Sequence, residues 1–407
     1  MRIALFCAAL AVSLTPTRTD AQSVNLTEAD ALARLSAESP RVRASRAVID
    51  GAQADVIGAG RWPNPRLTID REAVAGTTEY LTRVGQPLPI SGQRGLLVRA
   101  ASSLVDASTG RSDDELRRMR GDLRLSFAQL VAAQVREREL IAARDHLRTV
   151  AEALAKRETG GDAAGFDRLR AEREVLDIDA DRAAAASERA RAQARLASFI
   201  GEAGDPSGIV ATPSPVVAST VPSVEELVRH AESTRGELRA LGKEIEAAQF
   251  SAQAADRRWI PEPEVIAGTK SSSLGNGDIG SVFGVQASIP LFDRGNAERA
   301  SARARGSLAE ARAATFRAAL RGEIAGWRAA LIERRQTAER YRASAVTRAD
   351  QIERIAQISY DAGERGILEL LDAYRSGATA RVRQAMLDAA VREAEIELEF
   401  ASGWEIR

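Results

Sequence analysis

The chain has 407 residues, and its 57 basic and 57 acidic side chains give a net charge of zero and no reason to expect a nucleic-acid partner. Its one cysteine, Cys7, lies in a leader-like segment, so the rest of the chain has no thiol for a disulfide, a cysteine metal site or thiol catalysis. Aromatic residues make up only 4% against 28% charged ones, with alanine and arginine abundant, which suits long helices packed through small side chains better than one large core.

Arg2, the apolar stretch from Ile3 to Leu14 and the small-residue end Thr19-Asp20-Ala21 read as a secretory signal peptide over residues 1–21. Cys7 is too near the start to be a lipid-attachment site. No other apolar run approaches the roughly 20 residues of a transmembrane helix, so any membrane insertion would have to be through strands. Thr27 to Arg61 reads as helix broken at Pro40, with Thr27 and Asp30 as its cap. Strands are predicted at Arg66 to Val74 and Thr78 to Leu88, a long proline-free helix from Gly95 to about Glu158, and a return helix from Phe166 to Ile200. Residues 201–222, punctuated by Pro206, Pro213, Pro215 and Pro222, read as a linker. The plan then repeats: helix from Ser223 to Trp259, strands near Glu264 to Ser271 and Ser281 to Ile289, a long helix from Asn296 to Tyr360, and a helix from Gly366 to Ser402.

The duplication is also written in motifs, at a period of roughly 200 residues. Arg61-Trp62-Pro63-Asn64-Pro65 returns as Arg258-Trp259-Ile260-Pro261-Glu262-Pro263, and Leu88-Pro89-Ile90 through Gly95 returns as Ile289-Pro290-Leu291 through Gly295. The chain therefore divides into a first repeat over 22–200, the linker, and a second repeat over 223–407. At 1.5 Å per residue each long helix reaches about 100 Å and each shorter helical stretch about half of that. One long helix can leave the strands for a distant tip, and two short ones laid end to end bring the chain back.

Phe283, Val285, Ala287 and Ile289 alternate with Val282, Gly284, Gln286 and Ser288, and Tyr80, Thr82 and Val84 alternate with Glu79, Leu81 and Arg83. This is the period-two pattern of a membrane strand, with Phe283, Val285, Ala287 and Ile289 expected to face lipid. Four strands cannot close a barrel and open edges cannot sit in lipid, so several chains must share one barrel, and three would supply twelve strands. Nothing in the sequence has the spacing of a catalytic or metal-ligating motif. His146 and His230, the only histidines, read as packed or solvated side chains.

A secreted chain with this repeat, two strands per repeat and such long helices resembles the TolC-like outer-membrane efflux factor family. The most specific local match runs from Tyr360-Asp361-Ala362-Gly363-Glu364-Arg365-Gly366 to Glu369, Asp372 and Ala373. Pro63-Asn64-Pro65 and Gln86-Pro87-Leu88-Pro89-Ile90-Ser91-Gly92-Gln93-Arg94 are similar to the heavy-metal, CzcC-like branch. The resemblance implies a mainly α protein of long antiparallel helical hairpins, forming a homotrimeric α-barrel tunnel under a twelve-stranded β-barrel. It also implies a passive duct through outer membrane and periplasm, serving a tripartite efflux or type I secretion-like system with a periplasmic adaptor and an inner-membrane pump of the RND type. No enzyme activity, cofactor or resident metal is implied, and metal cations are the expected cargo. A drug or solvent duct of the same family and a periplasmic coiled-coil adaptor are the alternatives.

Residue by residue, the resemblance implies gate links through Asp167, Tyr360 and Arg365, a cation-favouring constriction ring of Glu369 and Asp372, and adaptor-docking tips at Gly161, Gly165, Gly363 and Gly366. Phe166 stands where the best-known family pattern carries a hydroxyl, a departure at the gate.

Overall fold

The computed structural model describes residues 24–35, 39–160, 165–201, 205–213, 220–274 and 277–405. The signal-peptide reading and Gly161 fall outside them. β1 (Val24–Leu26) leads into α1 (Glu28–Ala33), where the Thr27 hydroxyl accepts from the Asp30 amide and the Asp30 carboxylate accepts from the Thr27 amide. α2 (Pro40–Gly60) starts at the proline whose fixed φ suits a first helical turn. β2 (Arg66–Val74) and β3 (Thr77–Pro87) form a hairpin turning through Ala75 and Gly76, both at positive φ. α3 (Gln93–Thr159) runs unbroken for 67 residues, and α4 (Gly165–Ile200) returns along it.

The expected linker is not featureless. A 3-10 turn at Pro206–Gly208 leads into β4 (Ile209–Ala211), which pairs in parallel with β1. Pro206 opens the 3-10 turn, Pro213 follows β4 and Pro222 precedes α5, so these prolines mark the ends of structure rather than its absence. The helix expected from Ser223 is two, α5 (Val224–Thr234) and α6 (Gly236–Asp256). They part at Arg235 because the Asp114 carboxylate, from α3, accepts the backbone N–H groups of Gly236 and Glu237 and caps α6. Gly110 and Gly236 make this approach possible, since a Cβ on Gly236 would fall 1.9 Å from the Gly110 carbonyl oxygen.

β5 (Pro263–Ser272) and β6 (Ile279–Ala287) follow, then α7 (Asn296–Tyr341), a π-helical segment at Arg342–Val346, α8 (Thr347–Asp361) and α9 (Ile367–Ser402). The second long helix thus has an inserted residue that the first lacks. α3 begins after Gly92 (φ 74°) and α7 after Gly295 (φ 78°), so Gly92, not Gly95, is the structural counterpart of Gly295.

Helix order differs between the two halves of the bundle. On the strand side α2 packs on α3, α3 on α6 and α6 on α7; on the tip side α4 packs on α3, α3 on α9 and α9 on α8. α6 and α7 meet through alanines such as Ala248, Ala255, Ala302 and Ala309, consistent with the small-residue composition. Two midway cores, one per repeat, tie the halves together. The first gathers Leu26, Leu123, Phe127, Leu130, Leu196 and Ile209, the second Leu227, Leu320, Ile324, Leu331 and Leu398.

Candidate functional site

The sheet has the order β2-β3-β5-β6, antiparallel throughout, with β2 and β6 at its edges. Cross-strand partners share a face, so the register sorts every side chain. One face carries Leu67, Ile69, Tyr80, Val84, Val265, Ala267, Phe283 and Val285, and its large apolar members are exposed, Phe283 by 81% and Val285 by 71%. The opposite face carries the ion pairs: Arg66 pairs with Glu264 at 3.2 Å, Lys270 with Glu79 at 2.6 Å and Arg83 with Asp70. Gln286 donates to Glu264 at 2.7 Å on the same side, and Gly85 leaves the room that this carboxylate occupies. An apolar face whose one charge, Arg71, lies 5.9 Å from the Tyr80 ring centroid, backed by a face of cross-strand ion pairs, has the two-sided character of a sheet between lipid and water. Among the four expected lipid-facing residues, Phe283, Val285 and Ala287 lie in β6 on the apolar face, and Ile289 follows the strand's end.

Midway along the helices lies a charged cluster that sequence patterns did not single out. Arg124 and Arg392 both bind the Glu28 carboxylate, at 2.6 and 2.7 Å, and Arg392 also meets Glu395, which pairs with Arg335. Burial pushes the Glu28 carboxyl up, but the hydrogen bonds and charges of Arg392 and Arg124 outweigh it, and its pKa falls below the ordinary glutamate value of 4.5. This cluster joins α1, α3 and α9.

At the far end, Gly165 opens α4, Gly363 takes φ 73° between α8 and α9, and Gly366 is the residue before α9. Tyr360 packs against the tip core of Leu147, Leu154, Ala171, Ile367 and Leu370. Its hydroxyl accepts from Arg157 at 3.4 Å, and the guanidinium lies 5.5 Å from its ring centroid. Within one chain Tyr360 therefore meets Arg157, not Asp167 or Arg365. Asp167 is half-buried in the first turn of α4, and Arg365 is exposed with no ion pair among the described residues. Glu369 and Asp372 are exposed on α9, three residues apart, while Leu370, Leu371 and Ala373 between and beside them are buried.

Arg157 and the α8–α9 clasp were not legible in the pattern. Tyr374 donates to Gln357 at 2.6 Å, Arg381 grips Glu353 at 2.8 Å and Asp350 at 2.9 Å, and Gly377 makes space for Glu353. The histidines are packing residues. His146 stacks on Tyr374 at 5.1 Å, and His230 Nδ1 lies 3.0 Å from the Ser402 carbonyl. No cluster of three or more metal-ligating side chains occurs among the described residues, and no described helix is long and apolar enough to cross a membrane.

Residues 227–404 match the family model described as outer membrane efflux protein. That match covers the second half of the chain, which is similar to the family. It is 28% identical over 297 residues to NccC, a nickel-cobalt-cadmium resistance protein of Alcaligenes xylosoxydans xylosoxydans, covering 69% of this chain and 64% of NccC. It is 23% identical to CzcC, a cobalt-zinc-cadmium resistance protein of Cupriavidus metallidurans, over 88% of this chain and 85% of that one. Among solved structures, the outer membrane protein VceC of Vibrio cholerae superposes with a TM-score of 0.74 at 18% identity, over 93% of this chain and 97% of VceC. The chain thus shares the fold of VceC over nearly its whole length.

Proposed function

We propose that this chain is an outer-membrane efflux protein and one third of a passive duct, whose trimer spans membrane and periplasm and receives cargo from an inner-membrane pump through a periplasmic adaptor. The observation that carries the reading is the two-faced four-stranded sheet, open at β2 and β6, mounted on helices about 100 Å long. Unpaired strand edges in lipid leave N–H and C=O groups without partners, and joining β6 of one chain to β2 of the next satisfies them. Matching evidence comes from the tips, where Leu169 and Leu176 on α4 and Ile352, Ile355 and Ile358 on α8 stay exposed on the outer members of the helix row. A neighbouring copy would cover these apolar stripes.

Metal cations are the favoured cargo, since NccC and CzcC are both named as metal resistance proteins. In a trimer Glu369 and Asp372 would supply six carboxylates to one ring, a field that draws cations and repels anions. Asp167 and Arg365, which form no ion pair among the described residues, would link neighbouring copies at the gate, beside the Tyr360–Arg157 contact. The turns at Gly165, Gly363 and Gly366 would receive the adaptor, and the family's proton-driven RND type is the pump this cargo suits. Fractionation of cells producing the full chain, followed by native mass measurement of the detergent-extracted protein, tests the reading. An outer-membrane trimer is the expected result, and a periplasmic monomer would overturn it.

A further inference from the structure

The motif written most plainly twice in this chain, the arginine-tryptophan-proline junction between helix and strand, has no part in the duct, the gate or the tips. We propose that the junctions form a collar that binds anionic phospholipid headgroups of the periplasm-facing leaflet, an inference that rests on the outer-membrane reading above.

Four chain crossings join the sheet to the helices, and each exposes an apolar side chain: Trp62 before β2, Ile90 after β3, Trp259 before β5, and Ile289, Leu291 and Phe292 after β6. Phe292 is 98% exposed. They sit just past the strand ends Pro87 and Ala287, at the end opposite the Ala75–Gly76 turn. That level is the boundary between hydrocarbon and water, where tryptophan rings are favoured.

The platform is rigid before any lipid arrives. Arg94 donates to the Gly60 carbonyl at 2.6 Å and lies 5.3 Å from the Trp62 ring centroid; Arg257 donates to the Ser91 carbonyl at 3.1 Å; Arg258 pairs with Asp293 at 2.7 Å. Prolines at 63, 65, 89, 261 and 290 fix φ along the same segments and remove N–H donors. Charge selects the occupant. Both junction acids are engaged, Glu262 by the Ser91 hydroxyl and Asp293 by Arg258. Arg61 uses only its Nε, on the Gly58 carbonyl, and Arg294 is exposed without a partner among the described residues. A guanidinium at Arg61, next in sequence to the exposed Trp62, and one at Arg294, two residues from the exposed Phe292, suit a phosphate with its acyl chains alongside.

A second copy of the chain is the rival occupant, because β2 and β6 would adjoin across the trimer and could bring Trp62 against Phe292. It cannot account for the whole collar. Trp259 and Ile90 flank β5 and β3, the central strands, which no neighbouring sheet edge reaches.

The test places the purified full-length trimer in vesicles of phosphatidylethanolamine and phosphatidylglycerol brominated at a shallow or a deep acyl position. Four tryptophans are present; Trp327 lies in α7, and Trp404 follows α9 and packs against His230 of α5, away from the sheet. Shallow bromines should quench Trp62 and Trp259, about half of the emission by number, and single-tryptophan variants should assign the loss to those two. Phe283→Trp, on the lipid face of β6, serves as the reference for deep bromines. Quenching at 283 without quenching at 62 and 259 overturns the collar and leaves the barrel intact; no quenching at any of the three defeats the barrel reading itself. For the headgroup, Arg61→Gln and Arg294→Gln should each lower phosphatidylglycerol enrichment around the trimer about fivefold, and unchanged enrichment overturns its selection by charge. Efficient interchain disulfide formation between Trp62→Cys and Phe292→Cys would give that pair to the trimer contact instead.

Discussion

Replacing Phe283 with arginine probes the register on which the duct reading depends. Phe283 is the middle residue of β6, four positions from either end, which places it about 13 Å from each strand terminus and near the bilayer midplane. An arginine on the lipid face at that depth costs roughly 2–4 kcal/mol, and a trimer carries it three times, so about 6–12 kcal/mol falls on one assembly. Val282, the preceding residue, lies on the polar face opposite Gly268, the same face on which β5 and β3 carry Lys270 and Glu79. There the same substitution should stay within about 0.5 kcal/mol. The pair Val285 and Gln286 repeats the contrast nearer the boundary, and Gln286→Arg keeps a donor beside Glu264. Urea unfolding of the trimer in vesicles, read by protease resistance of the sheet, measures each cost. A Val282→Arg penalty equal to that of Phe283→Arg would refute the face assignment and with it the placement of lipid.

At the tip, Tyr360→Phe with Arg365→Ser should raise single-channel conductance in planar bilayers without lowering trimer yield; conductance equal to the parent's would mean that other residues hold the gate. Glu369→Gln with Asp372→Asn should shift the reversal potential toward lower cation preference, while an unchanged potential removes the acidic ring from selectivity. Midway along the bundle, Glu28→Gln should cost about 3 kcal/mol, because Arg124 and Arg392 are left sharing a weaker acceptor in a mostly buried setting. The sign of its pH dependence follows from the lowered pKa. The stabilisation is present above the ordinary value of 4.5 and is lost as pH falls through the lower folded-state value, so acid should narrow the difference between parent and variant in thermal melts.

Element type and order were legible because long proline-free amphipathic runs and period-two strands leave strong local patterns. β2 lies at Arg66–Val74 as expected, and α3 and α4 differ from their expected bounds by a residue or two. What escaped was set by groups distant in sequence. The break between α5 and α6 needs Asp114, more than a hundred residues away, and only the fold brings it to the Gly236 amide. β4 is a three-residue strand of the linker whose partner β1 lies at the start of the first repeat, too short to leave a periodic signal. Tyr360 was legible as a tip residue from its neighbours, yet its partner Arg157 sits in the last turn of α3, where a basic residue reads simply as a favourable helix end. Paired arginines and acids are indistinguishable from a solvated surface until their helices are docked.

The two repeats also differ in a way that bears on where the tip can move. α3 continues unbroken toward its tip and buries Leu140, Leu147, Val150, Ala151 and Leu154 there. The second long helix is interrupted by the π segment at Arg342–Val346, and below it α8 buries only Ala349 and Ala356. Two methyl groups remove far less apolar area from water than five side chains of mostly leucine and valine size, so α8 is held by much less hydrophobic free energy. Its attachments are polar instead: Glu353 and Asp350 to Arg381, Gln357 to Tyr374, and Tyr360 to Arg157. Such bonds exchange with water at little net cost, whereas an apolar seam must be exposed to be broken. The register change of a π insertion supplies a natural point at which the helix below can swing relative to the helix above. The first repeat therefore holds its long helix at the tip mainly by buried apolar side chains, and the second holds α8 mainly by polar links.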